Sequence, residues 1–309
     1  MTTTVEARKP RTGTQPVRGL PASRLTQLSP RDRLLQAVLV MVAAVMIGLL
    51  VNLAGLSQLQ HTIAQQNLRS GFAEALAAGT APVSEGDVDN VLLTDGTPVA
   101  QLRIPDLGID ETVVEGTTSG DLTAGVGHRR DSVLPGQEGV SVLLGRASAY
   151  GGPFARIAQL TPGALFTVIT GQGEQQFRVL DVRYAGQNAP NVIAPGASRL
   201  VLVSARGWPY MPSGLVRVDA ELVSKTQPAG TRQTTPKTLP AAHRELTVDT
   251  STVWMLVFAL QFLVVAELGA VWSWRRFGGA RTWVVFTPVL LLSGLLVADQ
   301  VTRLLPNLI

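Results

Sequence analysis

Apolar and polar positions divide this chain into distinct regimes. Residues 34–56 form an apolar run without a charged side chain, long enough for a helix to cross a hydrocarbon layer. Two further runs lie near the other end: residues 251–274, interrupted by the acid Glu267, and residues 282–300, whose apolar part is close to the lower length limit for a span. Within residues 57–98, Leu59, Ile63, Phe72 and Leu76 recur at roughly helical spacing, which predicts an amphipathic stalk helix through Ala78 followed by a turn-rich connection. From residue 99 to 223 the period shortens. Runs such as VAQLRI, ETVVEG, VSVLLG, LFTVIT and RLVLVSA, punctuated by Gly and Pro, predict a mainly β domain, a barrel or a sandwich. Residues 224–250 are polar and rich in Pro and Thr, the composition of a linker.

Composition narrows the chemistry. The 309 residues are 46% hydrophobic and only 16% charged, with a mean hydropathy of +0.24, which places membrane segments first among the expectations. There is no cysteine, so disulfides, thiolate metal sites and a cysteine nucleophile are excluded. With only His61, His128 and His243 as imidazoles, a zinc site is not expected, nor is any cofactor. Charge sets an orientation. Residues 1–33 carry Arg8, Lys9, Arg11, Arg18, Arg24, Arg31 and Arg33 against Glu6 and Asp32, and residues 275–281 carry Arg275, Arg276 and Arg281. Both segments belong on the cytoplasmic side. The chain is therefore expected as a multi-pass plasma-membrane protein with three transmembrane α-helices. Its N-terminus is cytoplasmic, residues 57–250 lie outside, and residues 301–309 form an extracytoplasmic tail. Residues 1–33 lack periodicity and are expected to be disordered; topology-setting charge accounts for their basicity more simply than a nucleic-acid partner.

The β region resembles the sortase family, most closely the actinobacterial class E type, over about residues 99–223. The resemblance rests on an ordered set of blocks: R-I-P at Arg103–Pro105, V-x-G-T ending at Thr117, G-x-G-H ending at His128, Y-G-x-P-F from Tyr150 to Phe154, and L-x-P-G from Leu160 to Gly163. It implies an eight-stranded β-barrel held at a membrane, and cysteine transpeptidation that joins surface proteins to peptidoglycan or pilin subunits. The family's reactive groups are a His, a Cys and an Arg. Here Arg146 stands in the His place and Ala205 in the Cys place, while Gly214 or Leu215 stands in the Arg place, with Arg217 the nearest arginine.

The resemblance therefore implies a degenerate member without its nucleophile or its base. Arginine carries a fixed charge and does not shuttle protons as imidazole does. Ser204 is adjacent to Ala205, but strand alternation turns it to the other face. His128 is expected as a packed, hydrogen-bonded residue rather than a base. Arg146 is expected either to anchor a carboxylate in the cleft or, preferentially, to pair with Asp131 or Glu115. Trp208 and Tyr210, in a loop after RLVLVSA, are candidates for contacting a peptide or glycan, or for packing over the barrel mouth. Glu267 is a candidate intramembrane contact.

The reading that follows is a membrane-anchored, non-enzymatic sortase-like protein that binds or scaffolds a surface-protein segment, a cell-wall component or a membrane partner. Altered catalysis through a serine such as Ser148 or Ser204 is one alternative. A role as accessory subunit of a membrane complex, driven by the C-terminal helices, is another.

Overall fold

The computed structural model describes residues 29–87, 89, 91–188, 192–248, 250 and 253–309; the expected disordered tail lies, up to residue 28, outside them. The described residues fall into two units that divide between Val42 and Ala43. In the first, helix α1 (Pro30–Val51) begins at a reciprocal cap: the Asp32 amide donates to Ser29 Oγ, and the Ser29 amide donates to Asp32 Oδ2, each at 3.2 Å. Pro30 sits at the helix start, where its missing N–H costs nothing.

In the second unit the helical path does not stop at residue 56. A π-helical turn, Asn52–Leu56, leads directly into α2 (Ser57–Ala78), which ends at Gly79 in the left-handed region, φ +68°. The stalk helix is present, but its buried face is not the expected apolar one. Leu59 and Ile63 are exposed; Ser57, His61, Gln65 and Phe72 are buried. The reason is polar docking. Gln65 behaves like a short added strand: its Oε1 accepts from the Thr112 amide at 2.7 Å, and its Nε2 donates to the carbonyls of Thr112 at 3.1 Å and Ala124 at 2.8 Å. His61 Nε2 lies 3.0 Å from Glu111.

The β region closes into a barrel of β1 (Pro98–Ile104), β2 (Ile109–Glu115), β3 (Val126–His128), β4 (Gly139–Leu144), β5 (Leu165–Thr170), β6 (Gly173–Tyr184), β7 (Ser198–Trp208) and β8 (Met211–Leu222). The strand order around it is β1-β2-β3-β4-β7-β8-β6-β5. Neighbours are antiparallel except β2 with β3 and β4 with β7. Closure removes every free edge. The interior is filled by alternating apolar positions, among them Leu102, Leu143, Leu200, Leu202 and Val218, with Phe166 and Phe177 stacked at 5.7 Å between ring centroids. Residues 224–248, expected as a linker, lie against the barrel: Gln227 exchanges main-chain bonds with Gly136 and Glu138, and Leu239 and His243 are buried.

Two helices follow, α3 (Val253–Phe277) and α4 (Gly279–Arg303), separated by Gly278 alone at φ +82°. The loop expected at residues 275–281 is thus mostly helix. Among the described residues, two helical stretches are long and apolar enough to span a membrane, Val253–Phe277 and Arg281–Arg303, rather than three. The end of α1 packs beside them. Val45 joins the cluster of Ala259, Leu263 and Val297, and a Cβ on Gly48 would lie 3.9 Å from the Gly294 carbonyl oxygen. Asn52 Nδ2 donates to Thr302 Oγ1 at 3.1 Å.

Candidate functional site

The site is built on the outer face of β4, β7 and β8. Alternation along β7 sends Leu200 and Leu202 into the barrel, while Val201, Val203 and Ala205 join a second cluster with Leu122, Val142, Leu144, Leu215 and Leu308. Ser204 falls on the opposite face from Ala205, as its position in the strand requires. It is fully buried, and its Oγ donates to the Gly145 carbonyl at 2.9 Å. The strand does not break at Gly207; it runs to Trp208 and turns through Pro209 and Tyr210 into β8. Trp208 is therefore a hairpin residue and stays 83% exposed, so it does not pack over the barrel. Tyr210 takes a positive φ of +63°, and its amide donates to Ser148 Oγ at 3.4 Å.

Arg146 leaves the end of β4 just after Gly145, where a Cβ would sit 2.6 Å from the Phe154 ring, so only glycine lets the chain pass. Its side chain is completely buried. The pairing with Asp131 or Glu115 does not form. Asp131 accepts from Arg129 Nε at 2.6 Å, and Glu115 faces His128 at 2.8 Å with Arg130 at 3.9 Å. Arg146 instead donates to main-chain oxygens: Nε to Leu122 at 3.2 Å, Nη2 to Ser119 at 2.8 Å, and Nη1 to Ile309 at 2.7 Å. Nη2 also meets Ser119 Oγ at 2.9 Å, and the guanidinium lies 5.1 Å from the centre of the Tyr150 ring. These dipoles solvate the cation where a carboxylate was expected. Burial pulls the Arg146 pKa down to about 10, only partly offset by the nearby Tyr150 and Tyr210 hydroxyls.

The third of those oxygens belongs to residues 304–309, which the hydropathy pattern assigns to an extracytoplasmic tail. They fold back onto the barrel. Leu308 is fully buried in the outer cluster, and its carbonyl accepts from the Ala147 amide at 2.9 Å. Asn307 is fully buried too: its amide donates to the Thr247 carbonyl at 3.0 Å, and Nδ2 donates to the carbonyls of Thr117 at 2.8 Å and Arg244 at 2.9 Å. The Leu305 carbonyl accepts from Ser119 Oγ at 3.0 Å. The available signal was compositional: LLPNLI has no charge and four aliphatic side chains, a poor sequence for a solvated tail. Beside Ile309 an opening of about 300 Å³ remains, lined by Ala147, Ser148, Ala205, Trp208, Tyr210 and Ile309 among others.

The other candidates lie around this cleft or apart from it. Leu215 packs with Ala205, and Gly214 precedes it at φ +152°. Arg217, two residues along the same face, is bonded to Glu245, which also lies 3.6 Å from Arg129. His128 is buried with Nδ1 2.8 Å from Glu115 Oε2 and Nε2 2.9 Å from the Val133 carbonyl. Burial disfavours its charged form, but the Glu115 carboxylate and the two hydrogen bonds outweigh that and raise its pKa. Both nitrogens are thus occupied, one by the Glu115 carboxylate and the other by the Val133 carbonyl. Glu267 belongs to α3, apart from the barrel site. Asp95, Asp121 and His243 bring one potential ligand atom each within 4.8 Å of one another. Each is already engaged: Asp95 by Arg130 at 2.7 Å, Asp121 by the Thr118 amide at 2.9 Å, and His243 Nδ1 by the Thr117 amide at 3.1 Å.

Comparison with known proteins agrees with the barrel. Residues 102–222 match the sortase domain family model. A curated relative, sortase D of Bacillus subtilis (strain 168), is 27% identical over 109 residues, 35% of this chain and 54% of that protein. The match thus spans about half the relative's length. Among solved structures, a sortase D5 transpeptidase of Clostridium perfringens aligns with a TM-score of 0.42 at 16% identity, over 53% of this chain and 99% of that one. Sortase E1 of Streptomyces coelicolor, solved with a tripeptide in its active site, aligns at 0.38 and 22% identity, over 42% and 90%. Residues 102–222 are thus similar to a sortase domain.

Proposed function

We propose that this is a membrane-anchored sortase-like protein that has no cysteine transpeptidase activity and instead binds or scaffolds cell-surface proteins or cell-wall assembly partners. One observation carries the reading. The outer-face site holds Ala205, and the fully buried Arg146 at the end of β4 is spent on main-chain oxygens. Acyl transfer through a thioester needs a sulfur nucleophile and a group to carry protons. The chain contains no cysteine, and His128, the imidazole nearest Arg146 in sequence, has both nitrogens occupied. A mechanism through Ser204 finds little support, because its Oγ is buried on the Gly145 carbonyl.

The topology belongs to the same proposal. The exposed apolar surfaces of α3 and α4 and the packing of α1 at Gly48 support three membrane spans. The N-terminus and the Arg275–Arg281 turn would be cytoplasmic and the barrel outside. Glu267 is then a candidate contact for a partner within the membrane. The test is direct. Full-length protein in detergent micelles is incubated with sorting-signal peptides and an amine acceptor, and products are followed by mass spectrometry. No turnover and no covalent adduct are expected; an acyl-protein adduct would overturn the reading.

A further inference from the structure

Residues 305–309 are seated in the outer-face cleft as a ligand would be. Leu308 fills a socket of Leu122, Val142, Leu144 and Val203. Asn307 contributes both main-chain and side-chain bonds, the Leu308 carbonyl takes the Ala147 amide, and the Ile309 oxygen takes Arg146. The contacts alternate between an apolar side chain and main-chain dipoles, the pattern by which an extended peptide is read. None of them is covalent. The fit is also incomplete, because Asn307 Oδ1 is buried without a partner. Beyond Ile309 the cleft continues into the opening rimmed by Trp208 and Tyr210.

We propose that residues 305–309 are an intramolecular ligand of this cleft, and that it accepts from outside an uncharged peptide carrying an Asn-aliphatic-aliphatic run when α4 withdraws them. The proposal rests on the non-catalytic binding role above and names its ligand class. The resident segment follows α4 directly, and the Tyr150 hydroxyl meets Asp299 near the end of that helix at 3.5 Å, so movement of α4 and release of the cleft are linked. Arg146 supplies the selective element. Its buried guanidinium must find an oxygen where Ile309 now provides one, and an incoming chain restores that bond with an oxygen of its own.

A tethered competitor acts at an effective concentration on the order of 1 mM. For a site with an intrinsic Kd of about 10 μM, it weakens external binding about 100-fold. The probe is fluorescein-labelled Leu-Leu-Pro-Asn-Leu-Ile, read by polarisation against full-length protein in micelles. Leu308→Asp, which expels the resident segment, should raise its affinity about 100-fold over the unaltered protein. Adding Arg146→Met should remove at least tenfold of that gain, and a peptide with Asp in place of its second-last Leu should not bind. If Leu308→Asp, with its barrel still melting cooperatively, binds no better than the unaltered protein, the proposal is wrong even though the chain remains non-catalytic. Should Leu308→Asp not fold, hydrogen exchange on the unaltered protein decides. The amide of Asn307 should exchange well before those of Leu202 and Val203, and added peptide should speed Asn307 while Ala147 stays protected. Exchange of Asn307 as slow as that of β7, unchanged by peptide, would overturn it.

Discussion

The buried pair His128–Glu115 provides a quantitative test of the barrel's electrostatics. Both side chains are at or below 1% exposure and 2.8 Å apart. Glu115 Oε1 has no hydrogen-bond partner, and its other cation, Arg130 Nε, stands 3.9 Å away. Replacing His128 with Gln leaves that carboxylate without its close cation in a fully buried site. Breaking such a pair costs about 3–5 kcal/mol, and in a domain of this size that lowers Tm by roughly 10 °C or more. The pH dependence has a defined sign. The folded pKa of His128 is raised above its ordinary value of 6.5, so its stabilisation is complete below about pH 6.5 and is lost as pH rises through the elevated value. The reference must not titrate, so the double variant Glu115→Gln/His128→Gln is used. Thermal melts of full-length protein in micelles, followed by circular dichroism from pH 5.5 to 9, should show the unaltered protein's advantage over the double variant narrowing toward alkaline pH. An advantage that widens with pH, or a His128→Gln variant within about 1 kcal/mol of the unaltered protein, would refute the assignment of a charged His128.

Three further outcomes follow from the geometry. Ala205→Cys should give a thiol that alkylates but forms no acyl adduct with sorting peptides by mass spectrometry, because each imidazole nitrogen that faces a partner is committed elsewhere: His61 to Glu111, His128 to Glu115 and Val133, His243 to Thr117. Gln65→Ala removes three hydrogen bonds to the barrel and strands a buried amide and carbonyls. It should cost about 2–3 kcal/mol, read as earlier proteolytic cleavage within α2. Gly48→Leu extends a bulky side chain toward the Gly294 backbone, which a Cβ alone would already meet at 3.9 Å; cysteine crosslinking between the end of α1 and α4 should fall sharply while barrel melting is unchanged.

Which parts were readable in advance follows from what each part depends on. Strand alternation is local, so the opposed faces of Ser204 and Ala205 could be assigned from RLVLVSA alone. The barrel and its order of blocks were legible for the same reason, reinforced by resemblance. The stalk helix was legible as a helix but not in its orientation. Its docking face is set by Gln65 completing main-chain bonds of Thr112 and Ala124, a long-range match that a hydrophobic pattern does not encode. Arg146 was misassigned because carbonyl dipoles, unlike carboxylates, leave no mark in the sequence. The role of residues 304–309 was hidden by a rule of thumb. A short stretch after a membrane-length helix is read as solvated, whereas its aliphatic side chains were the observation that counted.

The attachment of α2 at Thr112 and of residues 307–309 at Ala147 and Arg146 falls on different parts of the barrel, β2 and the loop that follows β4. A single stalk would let such a domain swivel like a flag on a pole; two moorings remove that freedom. The mouth beside Trp208 is then held at a fixed compass bearing.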